Sequence, residues 1–448
     1  MSEQKTIRSD ALTDQVSSEI LSELLQLPYY HGFLPREDMR RMLLRPGDFL
    51  VRLSQPAEGK PRTYVLSVAK SNGNARLPKL CHYLLIKDNQ GKYIVEHNKF
   101  ETIKELVDFY WKKGTTTSEK SELVLLNPIS RKPWELDHCT IETTKRLGEG
   151  AFAICKLGKY IDPKNKKVID CAIKVLKLEK LTKKQIKEFS KECRLMRKLD
   201  HPNIVKFYGL AAQQEPLMLV MELVKNGSLD HYLMKNTIEI PVKIKMCHGA
   251  GKGLNYLHSL NIMHRDIAAR NCLVDADEQI KISDFGMSVM CKEFDLDPTD
   301  KVPVKFLAPE TLRYKKYYHK TDVFTYGILV WEIFSNAKEP YPGMTALEMI
   351  KKVCKEEYRM AFPPETPDFI KNCIYSKAWL TNPEDRASMS EIVKIFGNGE
   401  RSKMLPPVET IHQDDLDTKS KIDISCYDEP VKEVKPKTTK RKTCKKNI

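Results

Sequence analysis

The chain has 448 residues, an apolar fraction of 41% and a formal net charge of +15, which gives room for two or three domains with sizeable hydrophobic cores. No nucleic-acid motif accompanies the basic charge, so nucleic-acid binding is not predicted, and part of the excess lies in residues 432–448. The 12 cysteines lack zinc-site spacing, and no signal peptide or bilayer-spanning apolar run is visible, so a cytoplasmic protein with reduced cysteines is predicted.

Residues 1–28 contain one helical pattern. Leu12, Val16, Ile20 and Leu24 recur every four residues, which places them on one face of a helix. Packing of this face on the following domain is the favoured interpretation, and a short self-association helix is the alternative.

Residues 29–127 contain a strand-like apolar run, 47–54, with Arg52 inside it. An arginine in a core strand is costly unless an anion neutralises it, and its guanidinium offers a fork of donors that matches a phosphate. Further strand-like runs follow at 63–69 and 82–87, and a helical pattern at 103–111. Taken alone, Arg52 is also compatible with the solvent face of an edge strand.

The surrounding residues resemble an SH2 domain. Tyr-Tyr-His-Gly at 29–32 resembles the opening of that family, and 49–52 read Phe-Leu-Val-Arg. The resemblance implies a central antiparallel sheet flanked by two helices that binds phosphotyrosine peptides, with Arg52 as the bidentate phosphate ligand. Leu84 stands where some family members have lysine, so the pocket is expected to rely more on Arg36. The implied phosphotyrosine-binding residues are Arg36, Arg52, Ser54 and His82.

A short linker, 128–140, leads to features that suit a nucleotide. The Gly-rich stretch 147–152 predicts a turn between two strands whose backbone N–H groups can approach phosphates, although such a turn alone is more typical of a hairpin. Lys174 follows on an apolar strand-like run, and a lysine that points inward from a strand requires an anion.

The stretch 264–271 places a carboxylate, a guanidinium and an amide in one tight loop. Asp266 can accept a proton or orient a hydroxyl. Asn271 and Asp284, the second of which follows a strand-like run at 279–283, offer the oxygens that Mg²⁺ takes together with substrate phosphates. A His-Arg-Asp triplet alone is more typical of an ordinary surface loop, but here several further elements occur in the right order.

Together these elements resemble the protein kinase signature set over roughly residues 140–397. The resemblance implies a bilobal kinase fold that uses ATP and Mg²⁺, with Lys174 contacting the α- and β-phosphates and a helix glutamate. The helical segment 185–199 offers Glu188 and Glu192, and the register of the following His-Pro-Asn-Ile-Val at 201–205 favours Glu192.

The resemblance also implies the site residues. The catalytic residues are Asp266, Arg270 and Asn271, and the metal ligands are Asn271 and Asp284. Two ATP-site residues depart from the family pattern, because Ala153 replaces a glycine and Cys155 a valine, which affects nucleotide affinity rather than chemistry. The ATP-binding residues are Leu147, Gly148, Glu149, Gly150, Ala151, Phe152, Ala153, Cys155, Ala172, Lys174, Glu192, Met221, Glu222 and Val224.

Two stretches resemble tyrosine kinases rather than serine/threonine kinases. Ala268 stands where serine/threonine kinases usually carry lysine, and Arg270 follows it. The segment 303–310 resembles the tyrosine-kinase substrate platform, with Phe306 in place of tryptophan. The stretch 264–271 is termed the catalytic loop. Asp322 is expected to brace this loop, and Glu310 and Arg386 are expected to form a structural ion pair.

The segment between Asp284 and Glu310 contains no tyrosine, although tyrosine kinases commonly switch on by phosphorylation there, with Arg265 as the phosphate partner. Three carboxylates surround Thr299 in this segment: Asp295, Asp297 and Asp300. One hypothesis is that these acids partly replace the phosphate, so that loop phosphorylation is dispensable. The rival hypothesis is that activity is low until a partner docks.

Residues 398–448 form a polar, finally lysine-rich tail that is predicted to be disordered. Tyr427, followed by acids, is compatible with a phosphosite that binds an SH2 domain, or with an ordinary disordered tyrosine. The basic end is compatible with contact to an acidic membrane surface, at the inner face of the plasma membrane, at on the order of 1 kcal/mol per well-placed basic residue.

The predicted architecture is α+β: an N-terminal extension (1–28), an SH2 domain (29–127), a linker (128–140), a protein tyrosine kinase domain (141–397) and a basic tail (398–448). This order is similar to the Fes/Fer family of non-receptor tyrosine kinases, without that family's N-terminal F-BAR region. The implied activity is transfer of the γ-phosphate of ATP to tyrosine in protein substrates, with tyrosine-phosphorylated proteins as SH2 partners. The alternatives are an SH2-containing pseudokinase adaptor and a serine/threonine kinase.

Overall fold

The computed structural model describes residues 17–54, 62–73, 75–114, 123–150, 152–177, 182–297 and 302–404. The first of the two units into which the chain divides is Met1–Lys403. The elements below lie in this unit, apart from the last residue of the final helix. Among the described helices, none combines the length and the apolar character needed to cross a bilayer.

The N-terminal part, up to residue 128, is built on a four-stranded sheet in the order β3-β2-β1-β7. A second small sheet has the order β4-β5-β6. The elements are α1 (Ser17–Leu25), α2 (Arg36–Met39), β1 (Asp48–Ser54), β2 (Thr63–Lys70), β3 (Lys79–Leu84), β4 (Ile86–Lys87), β5 (Tyr93–Val95), β6 (Asn98–Phe100), α3 (Ile103–Gly114) and β7 (Asn127–Pro128).

Alternation along β1 places Arg52 on a defined face of the sheet. Phe49 and Val51 belong to the core that includes α1 and α3, whereas Leu50 packs with Met39 of α2 on the opposite face. Successive side chains of a strand point to opposite faces, so Arg52 shares the α2 face with Leu50. Arg52 is 3% exposed, which excludes the solvent-facing alternative.

Helix α1 packs on this N-terminal core. Leu24 is fully buried in the same apolar cluster as Leu106 of α3, and Ile20 packs against that cluster. The prediction that this helix face packs on the following domain is therefore confirmed for Ile20 and Leu24. Leu12 and Val16 lie outside the described residues.

The linker contacts both regions that it joins. His31 Nδ1 lies 2.7 Å from a carboxylate oxygen of Glu135, and Glu135 forms a parallel β-bridge with Leu210. The N-terminal part also contacts the following region directly, because the Arg194 guanidinium donates two hydrogen bonds, of 2.9 and 2.7 Å, to the Asp38 carboxylate. The short linker thus joins two regions that touch, as predicted.

The following region begins with a five-stranded antiparallel sheet in the order β11-β12-β10-β9-β8. Its strands are β8 (Ile141–Glu149), β9 (Ala153–Ile161), β10 (Val168–Leu176), β11 (Phe207–Ala211) and β12 (Met218–Glu222). Helix α4 (Lys183–Met196) starts at a capping box in which Thr182 accepts from the Gln185 backbone N–H. Its buried face includes Phe189, Glu192 and Cys193.

The rest of this region is mainly helical, with short paired strands. The helices are α5 (Leu229–Lys235), α6 (Ile240–Ser259), α7 (Pro309–Tyr314), α8 (His319–Phe334), α9 (Ala346–Lys355), α10 (Asp368–Cys373) and α11 (Met389–Met404). The strands are β13 (Ile262–Met263), β14 (Cys272–Val274), β15 (Ile280–Ile282), β16 (Val289–Met290), β17 (Glu293–Asp295) and β18 (Lys316–Tyr318). The predicted α+β architecture, a smaller sheet domain followed by a two-lobed region, is confirmed.

Helix α8 lies at the centre of the helical part. All of its residues from 321 to 334 are buried, as expected for a helix that is apolar on every side. It nevertheless carries two carboxylates, Asp322 and Glu332. Buried carboxylates need partners, and both partners lie in the catalytic loop.

Candidate active site and phosphate pocket

The loop 264–271 brings its three predicted catalytic side chains together. The Asn271 amide nitrogen donates to the Asp266 carbonyl at 2.8 Å and to its Oδ2 at 2.7 Å. The Arg270 guanidinium donates to Asp266 Oδ1. Because Asn271 uses its nitrogen on Asp266, its amide oxygen is the atom left for a cation.

Asp322 of α8 holds the beginning of this loop. Its carboxylate accepts hydrogen bonds from the backbone N–H groups of His264 and Arg265, at 2.8 and 2.9 Å, and lies 3.1 Å from His258 Nε2. Burial alone would raise the pKa of Asp322, but His258 and the backbone donor outweigh it and lower the pKa. An ionised Asp322 thus fixes the backbone immediately before Asp266, as predicted.

Glu332 of α8 holds the end of the same loop, and sequence reasoning missed it. The Ala269 backbone N–H donates to Glu332 Oε2 at 3.0 Å. Burial raises the pKa of Glu332 to about 8, so this carboxyl is largely protonated at neutral pH. A signal exists in the sequence, because Glu332 is the one charged residue in the apolar run 327–334.

Lys174 of β10 lies between two carboxylates. Its ammonium donates to both oxygens of Glu192, at 2.8 and 3.0 Å, and to Asp284 Oδ1 at 3.2 Å. Burial alone would lower the pKa of Lys174, but the two carboxylates outweigh it and raise the pKa. Glu188, the other candidate, lies near exposed Lys184.

Asp284 is tied to the catalytic loop by its neighbours. The Ser283 backbone N–H donates to the Asn271 carbonyl at 2.9 Å, and the buried Phe285 ring lies 5.3 Å from that of His264. Asp284 itself adopts φ +57°, in the left-handed region. The backbone therefore holds the residue next to Asp284 against Asn271, and the assignment of both as metal ligands stays a prediction.

The predicted nucleotide residues line the sheet around Lys174. Cys155 pairs with Lys174 across β9 and β10, and Ala172 pairs with Met221 across β10 and β12. At the Gly-rich turn, Gly150 donates its backbone N–H to the Ala153 carbonyl at 2.8 Å. Gly148 pairs with Cys155 in the β8–β9 register. Ala151 lies outside the described residues.

The remaining nucleotide residues differ in exposure. Leu147 and Phe152 are exposed at the turn, at 49% and 61%, whereas Val224 is buried after β12. The side chain of Glu149 pairs with Arg146 and Lys177. That of Glu222 accepts from the Lys206 backbone and is 3.1 Å from Lys281, and the Glu222 backbone N–H donates to the Lys206 carbonyl at 3.0 Å.

The structure places the catalytic loop next to the predicted substrate platform. The Arg270 guanidinium lies over the Phe306 ring, 4.5 Å from its centroid, which ties the platform to Asp266 through one arginine. The predicted Glu310–Arg386 pair is also present, with two hydrogen bonds of 2.8 and 2.7 Å. This buried pair connects the first turn of α7 to the segment before α11.

The second pocket surrounds Arg52 on the α2 face of the first sheet. Arg52 Nε donates to Ser67 Oγ at 3.2 Å, and His82 Nδ1 lies 3.2 Å from the same oxygen. Among the described residues, Arg52 forms no ion pair. Burial, followed by the like charge of Arg36, lowers the pKa of Arg52 to about 10.

His82 is neutral in this pocket. Burial, followed by Arg52, Arg36 and Arg40, lowers the pKa of His82 to about 4. Ser54 is half-buried at the end of β1, and Arg36 is exposed at the start of α2. Sequence reasoning missed Ser67, the buried hydroxyl that joins Arg52 to His82, and also Arg40. The pocket therefore presents several donors and positive charge to an anion.

Comparisons with known proteins identify the families of the two domains. Residues 141–396 match the protein tyrosine and serine/threonine kinase family, and residues 29–110 match the SH2 domain. Over 380 residues the chain is 39% identical to Fer-related kinase 1 of Caenorhabditis elegans, covering 84% of this chain and 95% of that protein. It is 37% identical over 400 residues to human tyrosine-protein kinase Fer, covering 88% of this chain and 46% of Fer.

A viral relative gives the same picture. The chain is 33% identical over 379 residues to the tyrosine-protein kinase transforming protein Fps of avian sarcoma virus, covering 84% of this chain and 68% of that protein. The chain thus spans nearly all of the nematode relative, but less than half of human Fer.

Proposed function

We propose that Asp266 and Lys174 carry out the phosphoryl transfer of this chain. The chain belongs to the protein tyrosine kinase family and contains an SH2 domain before its kinase domain. The observation that supports the proposal is a pair of hydrogen-bonded side-chain clusters at and next to the catalytic loop. Lys174, Glu192 and Asp284 form one hydrogen-bonded cluster, and Asp266 and Asn271 form another. The pseudokinase alternative is not favoured.

The proposed reaction is an in-line transfer. Asp266 orients the tyrosyl hydroxyl and accepts its proton while the tyrosyl oxygen bonds to the γ-phosphorus of ATP. The bond from that phosphorus to the β–γ bridging oxygen breaks, and ADP leaves. Lys174 offsets charge on the α- and β-phosphates, and Glu192 keeps the ammonium directed at them. Positioning and electrostatic stabilisation account for most of such catalysis.

Asp284 and Asn271 suit a divalent cation, and we assign Mg²⁺ to them. One carboxylate and one amide oxygen are a typical protein contribution to a Mg²⁺ site, which keeps waters and substrate phosphates as its other ligands. The bound ion would neutralise charge on the β- and γ-phosphates. Activity restored by Mg²⁺ after chelation, but not by Ca²⁺, would support this assignment.

The SH2 domain is proposed to bind tyrosine-phosphorylated proteins through Arg52, assisted by Arg36, Ser54 and His82. Protein substrates, a cytoplasmic location and contact of the basic tail with acidic membranes also stay proposals. Tyr427 and the tail lie outside the described residues. The domain limits 29–127 and 141–397 likewise stay predictions.

The test is radiolabelled phosphate transfer from Mg·ATP to a Glu/Tyr copolymer. Asp266→Asn is expected to lower kcat by roughly 10²- to 10⁴-fold, because the variant cannot accept the proton. Asp368→Asn is the matched control, since that carboxylate lies on the surface, where it pairs with Lys371.

Three outcomes are informative. Transfer by the control but not by Asp266→Asn supports the proposal. Equal transfer by Asp266→Asn and wild type contradicts the role of Asp266. An absence of transfer from folded wild-type protein would favour the adaptor function, and phosphoamino-acid analysis of the product separates tyrosine from serine/threonine transfer.

A further inference from the structure

Arg265, the residue before Asp266, is enclosed by aromatic rings. Its guanidinium carbon lies 3.8 Å from the centroid of the Phe294 ring and 4.8 Å from that of Tyr317. One of its nitrogens donates to the Met287 carbonyl at 3.1 Å. Arg265 is 6% exposed and adopts φ +71°. Its position is therefore closely defined by neighbours from two parts of the chain.

Kinase activation segments are commonly ordered by a phosphorylated side chain that pairs with such an arginine. The segment 284–310 of this chain contains no tyrosine. A guanidinium stacks favourably on aromatic faces, and the interaction is stronger when the group is shielded from water. The two rings therefore offer Arg265 an uncharged partner in place of a phosphate.

Pairing of two strands places the Phe294 and Tyr317 rings next to each other. Strand β17 pairs antiparallel with β18, and Phe294 is directly opposite Tyr317 in that register. The Leu296 backbone N–H extends the pairing by donating to the Lys315 carbonyl at 2.7 Å. Leu296 and Tyr317 belong to one buried apolar cluster, and Phe294 packs against that cluster.

Asp295, one of the three carboxylates of the acidic hypothesis, contacts a lysine rather than Arg265. Asp295 lies 3.3 Å from Lys316 Nζ, and Glu293 pairs with the same ammonium. Side chains alternate along a strand, so Glu293 and Asp295 point away from the face that carries Phe294. Asp295 therefore neutralises Lys316 and not Arg265, while Thr299 and Asp300 lie outside the described residues.

We infer that Phe294 is a positioning residue for phosphoryl transfer: with Tyr317, its ring holds Arg265, and through it the adjacent Asp266, without a phosphate on the segment. The inference rests on the proposed kinase function. It implies that wild-type activity is independent of loop phosphorylation and dependent on an aromatic ring at position 294.

The experiment compares phosphatase-treated wild type with Phe294→Leu and Phe294→Tyr, by initial rates of copolymer phosphorylation. Phe294→Leu is expected to lower kcat by about 3- to 30-fold, the loss of one shielded cation–π contact. ADP affinity is expected to stay within about twofold, because Lys174, Glu192 and Asp284 are untouched. Phe294→Tyr keeps the ring and is expected to retain the wild-type rate before any phosphate is added.

Tyr314→Leu is the matched control, since Tyr314 is a nearby aromatic residue with 68% exposure. If Phe294→Leu does not fold, Phe294→Met supplies a ringless side chain of closer volume. Two results would overturn the inference in an active enzyme: a wild-type kcat in the ringless variant, or loss of wild-type activity on phosphatase treatment.

Amide hydrogen exchange over residues 289–296 gives a readout that does not need activity. Faster exchange in Phe294→Leu, with wild-type exchange in Phe294→Tyr and an unchanged thermal midpoint, supports the inference. Equal exchange in all three proteins contradicts it. If folded wild type transfers no phosphate at all, the proposed function fails, whereas the exchange experiment still decides whether the ring orders the segment.

Discussion

The kinase domain and the SH2 domain each place a long cationic side chain on an inner strand of a sheet, and they neutralise it differently. Lys174 on β10 contacts two carboxylates, Glu192 and Asp284. Arg52 on β1 donates to a neutral hydroxyl, Ser67, and has Arg36 as its charged neighbour. The first cation is neutralised within the fold, whereas the second has its positive charge available to a ligand.

This difference in charge neutralisation determines how each site interacts with a phosphate group. In the kinase domain, opposite charges raise the pKa of Lys174, so the ammonium stays charged and oriented with or without nucleotide. In the SH2 domain, burial and like charge lower the pKa of Arg52. A buried guanidinium without an opposite charge has an electrostatic cost. A bound phosphate dianion removes this cost, and its removal contributes part of the binding free energy.

Among the tests of this contrast, the largest effect is expected from removing the kinase cation. Lys174→Met is expected to lower phosphate transfer by roughly 10²- to 10³-fold. It should also lower the unfolding free energy by about 3 kcal/mol, because Glu192 stays buried without its partner. Transfer assays and urea unfolding measure the two effects.

Lys174→Met with Glu192→Leu separates the charge from the chemistry. The double variant is expected to recover most of the lost stability, because no uncompensated buried glutamate remains, while it stays inactive. If the double variant is no more stable than Lys174→Met, then Glu192 does not need Lys174 as a charge partner, and the proposed neutralisation of Lys174 by Glu192 is contradicted.

The next largest effect is expected from replacing the cation of the SH2 pocket by methionine. Arg52→Met is expected to weaken binding of a labelled phosphotyrosine peptide by about 100-fold, since two charge-assisted hydrogen bonds are lost at roughly 1.5 kcal/mol or more each. Its thermal midpoint is expected to stay equal or to rise, because a buried cation without a carboxylate is removed. Fluorescence anisotropy and thermal unfolding measure the two quantities.

Arg45→Met, on the exposed loop before β1, is the matched control for charge removal. It is expected to change neither quantity appreciably. A marked drop in the stability of Arg52→Met alone would mean that Arg52 is neutralised within the fold after all, and the contrast with Lys174 would disappear.

The sequence was sufficient where function depends on short segments. The catalytic loop, the Asp-Phe-Gly at 284–286 and the arginine strand are each continuous in the chain, so their residue types and spacing indicate their chemistry. The choice between Glu188 and Glu192 was harder, because the two lie one turn apart on one helix. Contact with Lys174 identifies Glu192 as the partner.

The residues that sequence reasoning missed act across long separations. Glu332 bonds Ala269, 63 positions away, and Asp38 bonds Arg194, 156 positions away. Phe294 meets Arg265 only because β17 pairs with β18. Tertiary packing creates such contacts. A local pattern can mark a residue, as the lone charge in an apolar run marks Glu332, but it does not identify the distant partner.

The smallest expected effect concerns Glu332 in the kinase domain. Burial, rather than a partner of opposite charge, keeps this carboxyl neutral, just as burial favours neutral His82 in the SH2 domain. Burial raises the pKa of Glu332 from 4.5 to about 8. Between those values the folded protein keeps a proton that the unfolded chain has lost, so rising pH lowers the stability of wild type in that window. Glu332→Gln has no such proton and lacks this slope.

Unfolding free energies of wild type and Glu332→Gln at pH 5 and pH 8 test this sign. The difference is expected to shift in favour of glutamine as the pH rises, while transfer at pH 7 stays within about twofold, because the amide oxygen can still accept from the Ala269 N–H. A difference that does not depend on pH would mean that Glu332 is ionised in the folded state. Internal neutralisation by opposite charge would then extend beyond Lys174 to the base of the catalytic loop, where Arg270 is the available cation.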